Sequence, residues 1–333
     1  MLHNIRKRFA NKAVVLMYHR IAEPVSDVWE ISVSPEKFKA HLKVLKQIGN
    51  IVPLQQLADQ VNKQSLKKNQ ICITFDDGYI DNFEVAKPLL EKYNLPATFF
   101  ISSGNLGTEN EFWWDELEHI ILFSPQLPYL FSCTILTETI EANIEAESIL
   151  DKPTQEKHYN WKACSEAPPT QRAMLFYRIW QQLRPLTFDQ QQMYLHQIRN
   201  WADVPPSTRI PYQMMPVDGL KKLAGNNLFT IGVHTITHPA LAYQTPLFQE
   251  QEIVGNRHFL EKTTGQKINL LAYPYGNYNS KTIEIVAATG LSVAFTTEEE
   301  NIHSRSNKYG LGRFQVKNIT GNELSKQITN WRK

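Results

Sequence analysis

Apolar runs and amphipathic segments alternate in the first third of the chain. The run AVVLMYHRI predicts a strand, and SPEKFKAHLKVLKQIG predicts a helix because Phe38, Leu42 and Leu45 recur at helical spacing. Ser34 is the predicted N-cap of this helix, and Gly49 is predicted to end it. The runs QICITFDDG and PATFFIS predict two further strands.

The same alternation returns from about residue 217. Strands are predicted at FTIGVHT, INLLAYP, LSVAFTT and RFQVK, and helical segments lie between or after them. Strands that alternate with helices favour a parallel sheet, either an open doubly wound sheet or a barrel. Polar motifs follow several of these strands, which favours a (β/α) barrel, complete or incomplete.

The alternation stops between residues 113 and 216. QRAMLFYRIWQQLR and FDQQQMYLHQIRNWA have helical apolar spacing, and the Pro-rich stretches EAPPT and VPPSTRIPY predict loops. We therefore expect a helical insertion at 113–216 that divides the barrel into residues 1–112 and 217–333.

Composition narrows the choice of partners. The chain has 333 residues, 42% hydrophobic content and a formal net charge of +2, so it can bury a core and gives no argument for a nucleic-acid partner. Its three widely spaced cysteines predict neither a disulfide framework nor a thiolate metal site. A cytoplasmic location is therefore expected.

The N-terminus carries a basic cluster. This cluster could approach the anionic inner face of a membrane, although a solvated leader is the simpler interpretation; its members are Arg6, Lys7, Arg8 and Lys12. No pattern indicates an oligomeric state.

Two carboxylates follow the strand QICITF directly. Asp76 and Asp77 can converge on one cavity only if the chain turns there, and Gly78 makes such a turn easy. Adjacent carboxylates repel each other unless a cation or a proton lies between them.

Two histidines follow the strand FTIGV. His234 and His238 are four residues apart, so one helical or curled turn would bring both rings to one side. Two imidazoles and one carboxylate can hold Zn²⁺ with one position left open for water. Co²⁺, Ni²⁺, Mn²⁺ or Fe²⁺ would be alternatives.

A third motif, AYPYGNY, follows the strand INLL. A Pro-aromatic-Gly turn can direct a backbone N–H into a cleft, as the stabilisation of an oxyanion requires. Tyr273 and Pro274 of this turn are candidate substrate contacts.

The motifs TFDDG, HTITHP and YPYG, in this order and each at a strand end, resemble the polysaccharide deacetylase family, also called the NodB homology or carbohydrate esterase 4 family. The resemblance covers about 14–112 and 217–320. LMYHRI and SVSPEKFKAHLKVL are similar to a branch that deacetylates exopolysaccharides and surface glycans.

The resemblance assigns roles by position. It implies a distorted (β/α) barrel with a metal site at the carboxyl ends of the strands. It also implies that Asp76 is the general base and that the backbone N–H of Tyr275 lies in an oxyanion hole. The implied metal ligands are Asp77, His234 and His238.

The chain also departs from the family pattern. Ala272 stands where many members have an arginine that orients the base, and Arg313 is either its replacement or a surface arginine. The general acid is either His303, in ENIH, or His19, in MYHRI.

Aromatic residues follow the third predicted strand. Trp113, Trp114 and Asp115 either form a sugar-binding wall at the mouth of the barrel or pack beneath the insertion.

Together these features predict a metal-dependent hydrolase that removes an N-acetyl group from an amino sugar. The sugar would belong to a glycan, a lipid-linked glycan intermediate or a sugar nucleotide. Two alternatives remain: hydrolysis of a formamide or another non-peptide amide, and a barrel that binds glycan without catalysis.

Overall fold

The computed structural model describes residues 11–332, and its centre is one mostly parallel sheet. The strands of this sheet, in chain order, are β1 (Lys12–Tyr18), β2 (Gln70–Phe75), β3 (Ala97–Ile101), β6 (Phe229–Val233), β7 (Leu270–Ala272), β8 (Val293–Phe295), β9 (Ile302–His303) and β10 (Phe314–Gln315). Strands β4 (Leu130–Ile135) and β5 (Glu138–Asn143) form a separate antiparallel hairpin.

The large sheet is a curled, incomplete barrel. Its spatial order is β10-β1-β2-β3-β6-β7-β8, and the short strand β9 runs antiparallel to β1. This arrangement confirms the predicted distorted barrel and its incomplete form.

Eleven α-helices complete the described residues. They are α1 (Pro35–Ile48), α2 (Leu54–Asn62), α3 (Lys87–Tyr93), α4 (Trp113–Glu118), α5 (Lys152–Asn160), α6 (Gln171–Leu183), α7 (Phe188–Ala202), α8 (Val217–Ala224), α9 (Pro246–Thr264), α10 (Ser280–Ala288) and α11 (Gly321–Trp331).

The ends of α1 confirm the predicted capping. The Ser34 hydroxyl accepts a hydrogen bond from the Lys37 N–H at 3.3 Å, and Gly49 ends the helix with a φ of 70°. The segment around Pro88 begins late as an α-helix, because a π-helical turn at Asn82–Ala86 precedes α3.

The register of the parallel strands brings their carboxyl ends to one edge. Tyr18 lies opposite Phe75, Phe75 opposite Phe99, and Ile101 opposite Val233. The residues that follow β1, β2, β3 and β6 therefore emerge side by side, as in (β/α) barrels generally.

Two compact units make up the chain. The first contains Met1–Glu23, Ile31–Gly107 and Met215–Lys333, and the second contains Pro24–Glu30 and Thr108–Met214. The sequence predicted a helical insertion in this region. The second unit also contains strands, because β4 and β5 form a hairpin inside it. Alternate residues of β4 are buried and exposed, which is the period-2 pattern of a half-buried strand.

Arg172 organises the second unit from within. Its guanidinium is buried and donates to four backbone carbonyls, those of Ser124 at 2.7 Å, Ser148 at 2.8 Å, Glu147 at 2.6 Å and Ile121 at 3.5 Å. Trp29 belongs to this unit too, since its ring centroid lies 4.4 Å from that of Trp180.

No helix within residues 11–332 is long and apolar enough to cross a bilayer. Of the basic cluster, Lys12 begins β1, and Arg6, Lys7 and Arg8 lie outside the described residues. The expected cytoplasmic location stays a prediction.

His41 makes the fold sensitive to pH. Its Nδ1 lies 3.3 Å from the Tyr18 hydroxyl, and its Nε2 donates to the Ile319 carbonyl at 2.8 Å. Burial lowers the pKa of His41 to about 4, although the bond to Ile319 opposes that shift. An unfolded histidine titrates near pH 6.5, so the unfolded chain binds more protons between these two values.

We expect the free energy of unfolding to fall as the pH falls from about 6.5 to about 4, by on the order of 3 kcal/mol from His41. His41→Gln should lack this part of the pH dependence. Chemical denaturation of both proteins across the range measures it. Parallel stability curves for the two proteins would contradict the assignment.

Candidate metal and catalytic site

The candidate site lies at the carboxyl ends of the barrel strands. Asp76 and Asp77 follow β2, and the Asp76 N–H donates to the Tyr18 carbonyl at the end of β1 at 3.0 Å. His234 follows β6, and its Nδ1 donates to the Ala272 carbonyl at the end of β7 at 2.8 Å. The parallel register thus joins motifs that are far apart in sequence.

Asp77, His234 and His238 form one buried cluster. The Asp77 Oδ1 atom lies 3.3 Å from the His234 Nε2 and 3.2 Å from the His238 Nε2. One ligand atom from each residue lies within 4.8 Å of the others. The sequence prediction that these three side chains meet is therefore confirmed.

The donor chemistry of this cluster fits a divalent cation. Because the His234 Nδ1 donates its proton to a carbonyl, the neutral ring presents a lone pair at Nε2. That lone pair faces the Asp77 Oδ1 atom, which is buried and has no hydrogen-bond partner among residues 11–332. A lone pair opposite a carboxylate oxygen is unfavourable unless a cation lies between them.

Electrostatics favour the metal-binding protonation states. Burial lowers the pKa of His238, so its neutral imidazole prevails at neutral pH.

Asp76 has a different partner. The Arg313 guanidinium forms a two-pronged ion pair with it, with Nη1 at 2.7 Å from Oδ1 and Nη2 at 2.6 Å from Oδ2. Both side chains are buried, and the Arg313 Nε donates to the Thr296 carbonyl at 3.0 Å. Burial would raise the pKa of Asp76, but Arg313 more than offsets this, so Asp76 is ionised at neutral pH. Arg313 is thus a buried partner of Asp76 and no surface residue.

The turns that carry the site have unusual backbone conformations. Asp77, Thr235, His238 and Tyr275 all have positive φ, at 74°, 67°, 58° and 56°. Such values are uncommon for residues other than glycine, and for a β-branched residue such as Thr235 they are true outliers. Strain of this kind persists only where the surrounding structure fixes it.

The YPYG turn approaches the cluster through Tyr275, whose ring centroid lies 4.5 Å from that of His238. The turn closes on itself, because the Gly276 N–H donates to the Tyr273 carbonyl and the Asn277 N–H to the Pro274 carbonyl. Gly276 has a φ of 61°, and an added Cβ would collide with Thr297.

Tyr273 and Pro274, the predicted substrate contacts, lie within the YPYG turn. Both side chains are buried, and the Tyr273 hydroxyl donates to the Tyr309 carbonyl at 2.9 Å. Burial also raises the pKa of Tyr273. The bond to Tyr309 holds Tyr273 in place, and the role of Tyr273 and Pro274 as substrate contacts stays a prediction.

The two acid candidates lie at opposite ends of β1. His19 is half-buried and directly follows Tyr18, beside Asp76. His303 pairs with Lys12 at the start of the same strand, six residues away from Tyr18 and thus about 20 Å from it. The prediction of His303 as general acid is therefore wrong.

Trp113, Trp114 and Asp115 belong to the second unit and are buried there. The rings of Trp114 and Phe112 stack at 4.3 Å, and the Asp115 carbonyl accepts a hydrogen bond from Arg209 at 2.9 Å. These contacts correspond to the packing alternative. The predicted sugar-binding wall is not found.

Sequence reasoning missed a residue that joins the two ligand-bearing turns. The Ser102 N–H donates to the Asp77 carbonyl at 3.2 Å, and its hydroxyl donates to the His234 carbonyl at 2.8 Å. The only signal for it is its place directly after β3, between the strands that end in the two motifs.

Comparison with known proteins bears on this site. The family model described as polysaccharide deacetylase matches residues 63–122 and 187–294, just over half of the chain. The YxkH protein of Bacillus subtilis (strain 168), which is named after the same family, is 22% identical over 92% of this chain and 71% of its own length.

A second relative has a more specific name. The poly-β-1,6-N-acetyl-D-glucosamine N-deacetylase of Staphylococcus aureus (strain MSSA476) is 31% identical over 113 residues, which are 30% of this chain and 39% of that protein.

Solved structures share the fold. The deacetylase PplD of Streptococcus pyogenes, in complex with acetate, is 19% identical with a TM-score of 0.54, over 96% of this chain and 99% of that one. IcaB from Ammonifex degensii is 18% identical with a TM-score of 0.57, over 97% of each chain. At such identities the likeness shows the fold alone.

The buried Arg313–Asp76 pair should be strongly coupled. Arg313→Met leaves the Asp76 carboxylate buried without its partner, which should lower the free energy of unfolding by about 3–5 kcal/mol. Adding Asp76→Asn should restore part of that loss. Urea denaturation of the metal-free single and double variants measures the coupling.

A matched control is Lys281→Met, which breaks an exposed pair with Glu284 at 2.8 Å. Its expected cost is below about 1 kcal/mol. If the effects of the Arg313 and Asp76 substitutions simply add, the pair is not coupled.

Proposed function

The chain belongs to the polysaccharide deacetylase family, and from this premise we propose that it is a metal-dependent hydrolase that removes an N-acetyl group from an amino sugar. The observation that carries the proposal is the buried Asp77–His234–His238 cluster beside an ionised Asp76. The cluster supplies three ligand atoms, and its neighbour supplies a base.

The substrate we propose is an N-acetylated glycan or its lipid-linked or nucleotide-linked precursor. The Staphylococcus aureus relative, by its name, acts on poly-β-1,6-N-acetyl-D-glucosamine, and the chain spans about two fifths of that protein's length. This supports an N-acetylhexosamine as the sugar unit.

Asp77, His234 and His238 would hold the cation. When bound, a divalent ion of this kind polarises an amide carbonyl and makes a coordinated water more acidic. Zn²⁺ is the first choice for two imidazoles and one carboxylate, and Co²⁺, Ni²⁺, Mn²⁺ or Fe²⁺ suit the same donor set.

Asp76 would act as the general base. Its carboxylate accepts a proton from the attacking water, and Arg313 fixes the plane of that carboxylate through two parallel hydrogen bonds. Arg313 thus supplies, from the loop just before β10, the orienting cation that this chain lacks at Ala272. It is a positioning residue, since it acts through Asp76.

The backbone N–H of Tyr275 would donate to the oxyanion of the tetrahedral intermediate. The left-handed conformation of Tyr275, at φ 56°, sets the direction of this N–H, and Gly276 permits the turn.

His19 would protonate the departing amine. Its backbone carbonyl accepts from the Asn82 amide at 2.7 Å, and its neighbour Arg20 forms a buried ion pair with Asp81 at 3.1 Å. Asp81 also accepts from the Ile21 N–H at 2.8 Å. These contacts fix the chain on both sides of His19, which keeps its ring at the end of β1.

Activity on N-acetylhexosamine oligomers tests the proposal. Mass spectrometry should show products in which a hydrogen has replaced one acetyl group, and amine-reactive dyes should label the amine that this exposes. Asp76→Asn should reduce kcat by about 10²–10⁴-fold, because the water then has no base. A chelator should abolish turnover, and added Zn²⁺ or Co²⁺ should restore it.

The same assay separates the alternatives. Full activity of Asp76→Asn would refute the assigned base. Turnover of N-formyl substrates but not of N-acetyl sugars would support the amide-hydrolase alternative. Metal binding with glycan affinity but no turnover would support a non-catalytic barrel.

The role of His19 predicts a dependence on the leaving group. His19→Asn should lower kcat on an N-acetyl sugar by about 10²–10⁴-fold, because an amine leaves only after protonation. Hydrolysis of 4-nitrophenyl acetate should change far less, because nitrophenolate departs without a proton. Equal losses on both substrates would exclude His19 as the acid.

A further inference from the structure

The loop between His234 and His238 is held first by the segment that follows β3. The Ser103 N–H donates to the Thr235 carbonyl at 3.3 Å, and the Gly104 N–H donates to the Ile236 carbonyl at 2.7 Å. This segment therefore satisfies acceptors of the loop and leaves its N–H donors to other partners.

Helix α9 supplies those partners through a buried carboxylate. The Glu252 Oε2 atom accepts from the N–H groups of Ile236 and Thr237, each at 2.8 Å. Its Oε1 atom accepts from the Thr237 hydroxyl at 2.7 Å. Glu252 thus binds three donors of the loop that separates the two histidines.

Asn256 lies one helical turn further along the same face of α9. Its Oδ1 atom accepts from the His234 N–H at 3.1 Å. Its Nδ2 atom donates to the Ile101 carbonyl and to the Ser103 hydroxyl, at 3.1 and 2.9 Å. The helix therefore binds both the beginning of the loop and the segment on its other side.

This loop needs support because its backbone is strained. Thr235 and His238 both have positive φ, a conformation that non-glycine residues keep only where the surrounding structure fixes it. Two adjacent N–H donors in a turn also need an acceptor that can face both of them. A carboxylate oxygen accepts two hydrogen bonds, and its charge makes them stronger than neutral ones.

We propose that Glu252 is a positioning residue for the metal site, because it fixes the loop that sets His238 relative to His234. The inference rests on the proposed function only in taking these histidines as metal ligands. Glu252 acts through the backbone N–H groups at residues 236 and 237.

Pre-organisation of the loop should appear in metal affinity. Without Glu252, the loop must be ordered when the cation binds, and that cost weakens binding. Residues that orient metal ligands typically contribute about 10–100-fold in affinity. A residue that only stabilises the fold would change the melting temperature and leave the affinity of the folded protein unchanged.

The experiment measures Zn²⁺ and Co²⁺ dissociation constants by competition with a chromophoric chelator. Glu252→Ala should weaken both by about tenfold or more. Glu252→Gln keeps one acceptor oxygen, and its amide can donate to the Thr237 hydroxyl. This variant should therefore lose only about threefold in metal affinity. Glu250→Ala removes an exposed carboxylate from the same helix and should change neither constant.

Several outcomes would overturn the proposal. An unchanged dissociation constant in folded Glu252→Ala, even with a lower melting temperature, reduces Glu252 to a structural residue. If Glu252→Ala does not fold, hydrogen exchange of the metal-free wild type decides. The amides of Ile236 and Thr237 should then be protected, and exchange at the rate of an exposed loop overturns the proposal.

Metal affinity also separates this inference from the proposed function. A wild type that binds Zn²⁺ but turns over no acetyl substrate leaves the role of Glu252 standing. A wild type with no metal affinity refutes both.

Discussion

Two adjacent buried carboxylates at the end of β2 repel each other, and the rest of the site is arranged around the cations that relieve this repulsion. Asp76 receives a guanidinium from Arg313, and Asp77 faces the Nε2 atoms of two imidazoles in a donor set that fits a divalent ion. The chain turns at Asp77, which has a φ of 74°, and the two carboxylates have different partners. In the proposed mechanism, Asp76 takes the proton of the attacking water while Asp77 holds the metal.

The topology of the barrel decides where the charged partners come from. Arg313 is 237 residues from Asp76 in sequence, yet it immediately precedes β10, which pairs with β1 next to β2. Ala272 ends β7, towards the other end of the sheet order. The arginine of this chain therefore approaches Asp76 from the β10 side of the sheet. The bidentate geometry specifies the orientation of the carboxylate whichever strand provides the arginine.

The sequence predicted most of the site because its motifs are local and each ends a strand. Parallel strands align their carboxyl ends, so TFDDG, HTITHP and YPYG had to meet once the barrel was inferred. The prediction for His303 failed because the two-residue strand β9 gives no periodic signal in the sequence. Only the register of β9 against β1 shows that His303 lies at the far end of β1. The β4–β5 hairpin was hidden within a segment of stronger helical pattern. Ser102, Glu252 and Asn256 look like ordinary loop and helix residues, and only tertiary contacts reveal their role.

The chain enters the second unit twice, once at Pro24–Glu30 and again at Thr108–Met214. The short passage is tied into the long one, because the Val28 carbonyl accepts from the Ala163 N–H at 2.8 Å and the Trp29 ring packs on Trp180. Replacement of one continuous stretch of sequence therefore cannot exchange this whole unit between related proteins. A recombination that moved only the long passage would leave seven residues encoded elsewhere and an aromatic partner missing. We therefore expect correlated amino-acid substitutions in the two stretches, although they lie far apart in the sequence.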